Sequence, residues 1–479
     1  MMKKKWPFLE MLPEKDVERI NLASLEILEK TGIEIDHPHT LDRLEEIGAI
    51  VDRRAKRVKF PPDIIESYIR KLPSKIIMAA RNPAKDVVLT PDGPTYARPV
   101  GGPEYLYDLH SGEYRKITIS DVKNWAVLTD ALENLHYSMG VYPSDVPLEV
   151  RDVYVAATLL ENTEKHVQIQ PYNARNIELI IEIAAAISGS KKRVTERPLV
   201  SMLISSLTPL RYRTEDVDML MTCGKHGIPV MLNSSPISGA TGPVTLVGTL
   251  ALLNAEILAA NTLLQSAYPG SPSVYEIRHQ ALDMRTALNS MGRVEVGMIT
   301  AMGVQLAKKN GFIADAFIQG DAITTGVQIT MEKTIQAILG GLAGANIIAG
   351  AGLLERTLST SFIELVIDND LMGMVFRILR GVRVDEERLA VNVIKDIGPG
   401  GHFLDSDHTL KYFKDEYYQP VLSSTESRHT WISKGSKGVV DNAREATIKI
   451  LKEHTPKILN KETRREIQKI LKLAAGHGF

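Results

Sequence analysis

The 479-residue chain carries 57 Lys and Arg against 58 Asp and Glu, a net charge of -1, so its composition offers no electrostatic footprint for nucleic acid or an acidic membrane surface. A single cysteine, Cys223, excludes an internal disulfide and a thiolate metal cluster and fits a reducing cytoplasm. The length allows about two to four domains, or one large barrel with extensions.

The basic start at Lys3 to Lys5 runs into Trp-Pro and acidic residues, which argues against a signal peptide. Residues 14–90 read as an α-rich preface. Amphipathic helices are predicted over 17–31, stopped by Gly32, over 39–47, and over 61–71 behind Phe60-Pro-Pro. Short strands are predicted over 76–80 and 87–89.

From Tyr96 the pattern changes to short apolar runs that lead through Gly/Pro-rich residues into amphipathic helices, as parallel βα units require. Eight candidate strands fall at 96–100 (with 104–107 as a second part of the first), 137–142, 167–170, 200–204, 229–232, 274–277, 314–318 and 346–349. The helices between and after them fall near 120–133, 149–162, 174–186, 214–226, 244–265, 294–309, 328–342 and 361–379. Even 246–264 is interrupted by Thr249, Asn254, Glu256 and Asn261, so no membrane span is expected. The spacing predicts an α/β fold, a TIM (β/α)8 barrel over 96–380, with the α-rich region 1–95 before it. A helical extension, 381–479, is expected to cap the barrel; it is broken by Gly398-Pro-Gly-Gly-His-Phe-Leu404.

In such a barrel the chemistry lies at the C-terminal ends of the strands. The strand ends gather aromatics in a chain with only 6% of them: Tyr96, Tyr105, Tyr142, Tyr172, Tyr212, Tyr275 and Phe317. Together they suggest a wall of π faces around a ligand, although any one Tyr could simply bridge core and solvent. The stretch from Asn233 to Glu256 joins a short strand through Gly239, Gly242 and Pro243 to a long apolar helix, and reads either as a functional mouth or as an ordinary linker. There is no HExxH, no Cys/His ligand spacing and no nucleotide-binding glycine motif. The scattered His166, His279, His402, His408 and His429 support no metal site. Glu276, Arg278, Asp283 and Arg285 form a charged run that suits a salt-bridged loop, with ligand binding the lesser alternative.

Residues 239–256, Asp283-Met-Arg-Thr286, Gly344-Ala-Asn346, Leu354-Glu355 and Gly398-Pro-Gly-Gly-His-Phe-Leu404 with His408-Thr409 closely resemble the trimethylamine methyltransferase superfamily. The likeness extends through the preface and the tail near 443–454. It implies a cytoplasmic barrel enzyme that moves a methyl group from a methylated amine to the cobalt of a corrinoid carried by a separate protein, with no tightly bound cofactor or metal of its own. A homo-oligomer is also expected. Archaeal members carry pyrrolysine in the segment that here reads Gln319-Gly-Asp-Ala-Ile-Thr-Thr-Gly-Val-Gln328; Ile323 and Thr324 are the nearest counterparts. Ordinary residues there resemble the branch that demethylates quaternary amines.

A quaternary ammonium leaves as a neutral amine and needs no general acid, so the lack of an evident acid pair suits it. Glycine betaine, giving dimethylglycine, is the expected substrate; proline betaine, carnitine and a non-catalytic betaine-binding role stay open. The cation has no N–H and would use aromatic faces, for which Tyr96, Tyr105, Tyr142, Tyr172, Tyr275 and Phe317 are candidates, with Phe362 a weaker one. Its carboxylate would use Arg98, Arg278, His402 or the Gly398 to Gly401 backbone. Asn233, Ser234, Ser235, Gly239, Gly242 and Gly400 are expected on the rim that faces the corrin.

Overall fold

Eight short strands alternate with eight helices in the order that the sequence periodicity predicts. The strands are β1 (Tyr96–Pro99), β2 (Tyr137–Met139), β3 (His166–Ile169), β4 (Val200–Ser205), β5 (Val230–Ser234), β6 (Ser273–Ile277), β7 (Ile313–Phe317) and β8 (Ile347–Ala351). The helices are α1 (Ile119–Ala131), α2 (Arg151–Asn162), α3 (Ala174–Ser188), α4 (Thr214–His226), α5 (Leu246–Ala267), α6 (Val294–Lys309), α7 (Val327–Leu342) and α8 (Phe362–Arg380). The computed structural model describes residues 9–476.

The strands pair in parallel from β2 through β8 and on to β1, which makes the expected TIM barrel. The seam between β1 and the three-residue β2 carries no ladder. It is stitched instead by the His136 N–H to the Ala97 carbonyl (2.8 Å), the Ala97 N–H to His136 Nδ1 (3.0 Å) and the Gly102 N–H to the Gly140 carbonyl (3.1 Å).

Helix α5 shows why the 246–264 run is so apolar. It is long and apolar enough by composition to cross a membrane, yet residues 249–266 are all buried inside the fold. Its polar residues have partners there: Asn254 accepts from the Tyr275 hydroxyl (3.0 Å) and Asn261 from that of Ser273 (3.0 Å). A helix packed on all sides reads as apolar all round.

The preface lies against this helix. Helices Glu14–Glu26 and Pro62–Ile69 pack on α5, and the hairpin of Ile76–Met78 and Val87–Leu89 sits at the N-terminal end of the barrel. There the His166 ring bonds the Ala79 carbonyl (3.0 Å) and Ser201 Oγ (2.9 Å), and the Tyr96 hydroxyl donates to the Val88 carbonyl (3.4 Å).

The C-terminal extension wraps the outside of the barrel. Helix Val439–Glu453 packs on α8 and α1, and Lys461–Gly476 on α3 and α2. Barrel helices run antiparallel to the strands, so α8 ends at the face opposite the mouth and segment 381–421 continues from there. Of that segment only Tyr412 is buried.

Candidate functional site

Alternate side chains of each strand face the helices and the lumen. On β6 the Tyr275 hydroxyl reaches Asn254 on α5, and Ile277 lies against Gly303 of α6, which turns Glu276 and Arg278 inward. On β7 Ala316 abuts Gly340 of α7, so Asp315 and Phe317 face the lumen. A carboxylate at the middle of an apolar strand thereby reaches the centre of the barrel.

There it meets Arg98 from β1. Arg98 Nη2 donates to Glu276 Oε1 at 3.2 Å and to Asp315 Oδ2 at 3.1 Å, with all three side chains fully buried. Arg98 Nη1 also reaches the Pro99 carbonyl (3.3 Å) and Met139 Sδ (3.0 Å). Glu276 and Asp315 are register partners on adjacent strands, and the row continues through Asn233 on β5 to Ser205 on β4. The Ser205 hydroxyl donates to Asn233 Oδ1 at 3.0 Å.

Among the described residues no hydrogen-bond partner exists for Tyr137 Oη, either amide atom of Gln168, Asn233 Nδ2, Glu276 Oε2, Arg278 Nε, His279 Nδ1, Asp315 Oδ1 or Gln319 Oε1. Buried polar atoms are almost always bonded. Four further exceptions, on Arg151, Ser359, Glu364 and Asp368, lie on other elements, whereas those of Asn233, Glu276, Arg278 and Asp315 cluster on or directly after β5, β6 and β7 and single out a candidate polar site. It is well suited to a small charged molecule.

Burial raises the carboxyl pKa of Glu276 and of Asp315, against the opposing pull of Arg98. Burial also works against the charge on Arg98, but Asp315 and Glu276 more than offset it, so the guanidinium stays charged. The Tyr137 phenol, beside Arg98, is pushed well above its usual range by burial and stays neutral. Burial lowers the His279 imidazole to about 4 and leaves it uncharged; its Nε2 lies 2.7 Å from Ser238 Oγ.

The loops around the lumen are tied down by carboxylates behind them. Glu256 on α5 accepts from the hydroxyls of Ser206 (2.5 Å), Thr208 (2.9 Å) and Ser234 (2.7 Å) and from the Leu210 N–H (2.7 Å). Glu332 on α7 accepts from the N–H of Asp321 (2.8 Å) in the loop after β7. In the same loop Gln319 donates to the His279 carbonyl (2.8 Å) and receives Gln336 Oε1 at its N–H (2.9 Å). On β8 the register shifts at Gly350, whose φ of +113 and 2.2 Å from a would-be Cβ to the Ile318 carbonyl oxygen admit no side chain.

The expected site residues separate into three groups. Arg98, Arg278, Phe317 and Asn233 do line the lumen. Phe317, however, already has the Arg278 guanidinium 4.5 Å above its ring centroid. Tyr142 and Tyr172 stack on each other at 5.7 Å beyond β2 and β3, with the Tyr142 hydroxyl on the Gln170 carbonyl (2.5 Å); Tyr105 stacks on Tyr114 at 5.1 Å in a small side sheet.

The other positions correct the expectation. Tyr96 opens β1 at the far end of the barrel, against His136 and Val88, because a strand's first residue is its N-terminal end. Tyr275 faces outward by the two-residue alternation of β6. His402 and Gly400 stand exposed on the segment beyond α8, with the His402 side chain 73% exposed beside Asp405. Ser234 faces Glu256 instead of the lumen, while Ser235 accepts from Gln280 Nε2 (3.0 Å) and Gly239 and Gly242 form the turn above β5. Ile323 and Thr324 are exposed; Gln319 is the residue of that loop with an unpartnered buried atom among the described residues. Tyr137, Gln168 and Asp315 are lumen residues that no motif or compositional feature singles out. Polar residues at alternate positions of apolar strands were the available signal.

No group of three or more His, Cys, Asp or Glu side chains among the described residues could hold a metal ion. Residues 1–473 match the family described as trimethylamine methyltransferase (MTTB). The chain is 32% identical over 466 residues to the glycine betaine methyltransferase of Desulfitobacterium hafniense strain Y51, covering 96% of both chains. It is also 32% identical over 462 residues to the trimethylamine methyltransferase MttB of another strain of that organism, covering 96% of this chain and 92% of the other. Among solved structures, the monomethylamine methyltransferase MtmB of Methanosarcina barkeri superposes with a TM-score of 0.54 at 15% identity, covering 98% of this chain and 89% of the other, which supports the barrel fold.

Proposed function

The chain belongs to the trimethylamine methyltransferase family, and we propose that it takes a methyl group from a quaternary amine, glycine betaine, and passes it to a corrinoid carried by a separate partner protein. The observation that carries this reading is the buried lumen in which Glu276 and Asp315 present free carboxylate oxygens. A site for a cation that cannot donate a hydrogen bond needs such negative charge close by and no proton donor at nitrogen.

The segment 319–328 consists of ordinary residues, which supports a quaternary substrate over a tertiary amine. When a methyl leaves a quaternary nitrogen, the C–N bond breaks, its electron pair stays on nitrogen, and a neutral tertiary amine departs without any proton transfer. The corrinoid supplies the nucleophile that takes the methyl. What remains for the protein is to hold the N-methyl bond in line with the acceptor and keep water away.

Arg98, Glu276, Asp315 and Phe317 line the lumen of an eight-stranded barrel, which is too narrow for a macrocycle, so the corrinoid fits only at the mouth. The bare backbone at Gly239 and Gly242, in the turn above β5, gives the rim a low profile there. A reduced corrinoid and the single buried thiol of Cys223 fit a cytoplasmic setting. Apolar side chains exposed along 381–421, among them Val382, Leu404, Leu410 and Val421, fit association between copies of the chain.

The test is to incubate the protein with reduced cobalamin and, in turn, glycine betaine, proline betaine, carnitine and trimethylamine, following methylation of the cobalamin by absorbance. Methylation with glycine betaine is expected. Its absence with every quaternary amine, a competent corrinoid protein being present, would overturn the reading.

A further inference from the structure

Of the aromatic side chains expected to cage the cation, Tyr96 lies at the opposite end of the barrel, Tyr275 faces α5, and Phe317 carries Arg278 on its ring. The lumen is charged instead. It contains two guanidinium groups, Arg98 and Arg278, and two carboxylates, Glu276 and Asp315, whose charges sum to zero when both carboxylates are ionised.

Resting on the quaternary-amine reading, we infer that Glu276 and Asp315 bind the cationic head of the substrate and that Arg278 with Asn233 binds its carboxylate, so that the site selects a zwitterion over a plain cation. Each carboxylate gives one oxygen to Arg98 and keeps the other, Glu276 Oε2 and Asp315 Oδ1, buried and unpartnered among the described residues. The two are held side by side because they are register partners and share one nitrogen of Arg98. An ionised oxygen left without a partner inside a protein is costly unless positive charge comes to it. A trimethylammonium group brings that charge, spread over its methyl surface, and needs no hydrogen-bond geometry.

The donors left over are of the opposite kind. Arg278 Nε and Asn233 Nδ2 are buried without acceptors among the described residues, and Asn233 is the register partner of Glu276 on the other side from Asp315. A short molecule can therefore place its ammonium at Glu276 and Asp315 and its carboxylate at Asn233 and Arg278. Charge balance points the same way. A simple tetraalkylammonium would leave the lumen with net charge +1, and a simple carboxylate with -1; a zwitterion leaves it neutral.

Calorimetric binding without any corrinoid tests this separately from methyl transfer. The wild-type protein should bind glycine betaine about tenfold or more tightly than either tetramethylammonium or 3,3-dimethylbutanoate, its uncharged-head isostere. Glu276→Gln and Asp315→Asn should each weaken betaine binding by about tenfold or more, and Asn233→Ala should weaken betaine but not tetramethylammonium. The wild-type ligand series needs no variant and decides the matter even if a substitution unfolds the barrel. Equal affinity for betaine and 3,3-dimethylbutanoate, no betaine binding, or unchanged binding in folded Glu276→Gln would overturn the inference. Those results would leave the methyl-transfer reading to its own test.

Discussion

Glu276 and Asp315 stand opposite one another on adjacent strands and converge on one nitrogen of Arg98, at 3.2 and 3.1 Å, with no solvent reaching any of the three. Two like charges on adjacent register positions would repel strongly in a medium of low dielectric constant, and the guanidinium they share is what holds both in place.

Arg98→Met is therefore expected to lose stability by about 3–5 kcal/mol at neutral pH, because it strands two buried carboxylates. Urea denaturation followed by circular dichroism measures this. A loss below about 1 kcal/mol, the scale of a surface ion pair, would mean that the triad is more hydrated than it looks.

Ligand binding should depend on pH. Burial raises the Glu276 carboxyl to about 7, with Arg98 from β1 and Arg278 opposing the shift and Asp315 from β7 reinforcing it; the Tyr137 phenol on β2 stays neutral throughout. A raised carboxyl pKa means that the proton is held near neutrality, and a cation must compete with it. Betaine affinity should thus fall as the pH drops through about 7 and level off above it. Titration calorimetry across that range checks the direction, and Glu276→Gln should flatten the dependence.

A second buried cluster supports the site from behind. Lys333 on α7 donates to Glu364 Oε1 (3.0 Å) and Asp368 Oδ2 (2.6 Å) on α8, and Asp368 also takes the Gly352 N–H (2.6 Å) just past β8. Lys333→Met removes the only cation bonded to these two carboxylates among the described residues, and should cost about 3–5 kcal/mol in thermal or chemical denaturation. Paired replacement of all three by apolar residues of similar size should recover most of that loss.

Glu256 organises the mouth by accepting from Ser206, Thr208, Ser234 and the Leu210 N–H. Glu256→Ala leaves those donors unmet and is expected to destabilise the protein by about 2–4 kcal/mol, and to raise KM by loosening the loop after β4. Glu256→Gln turns an N–H toward other donors and should fall between the two. Protease sensitivity near residues 206–210 provides an independent readout.

The barrel was legible in the sequence because its signal is repeated: each apolar run is followed by turn residues and an amphipathic helix, and an error in one unit leaves the others standing. Individual contacts depend on a two-residue alternation whose phase is set by neighbouring strands. Tyr275 and Glu276 illustrate this, since the aromatic drew attention by its rarity while the carboxylate beside it faces the lumen. Arg98 and Arg278 were found as charged residues at strand ends, but their partners Asp315 and Phe317 lie more than 35 residues away in sequence, and pairing across that gap is a property of strand register. Gly398 to Leu404 stood out by composition, yet its place beyond α8 follows from where the helix ends. Glu256 reads in the sequence as one more polar interruption of an apolar helix, because the loops that donate to it come from residues 206–210 and 234, brought there only by the fold.

The most direct test of the account is to supply glycine betaine labelled in its N-methyl groups to the protein together with a reduced corrinoid protein, and to follow the label by NMR. The expected result is one labelled methyl on the corrinoid for each dimethylglycine released, with no transfer when either the protein or the corrinoid is left out. Dimethylglycine formed without a corrinoid acceptor, or no labelled corrinoid despite measurable betaine binding, would contradict it.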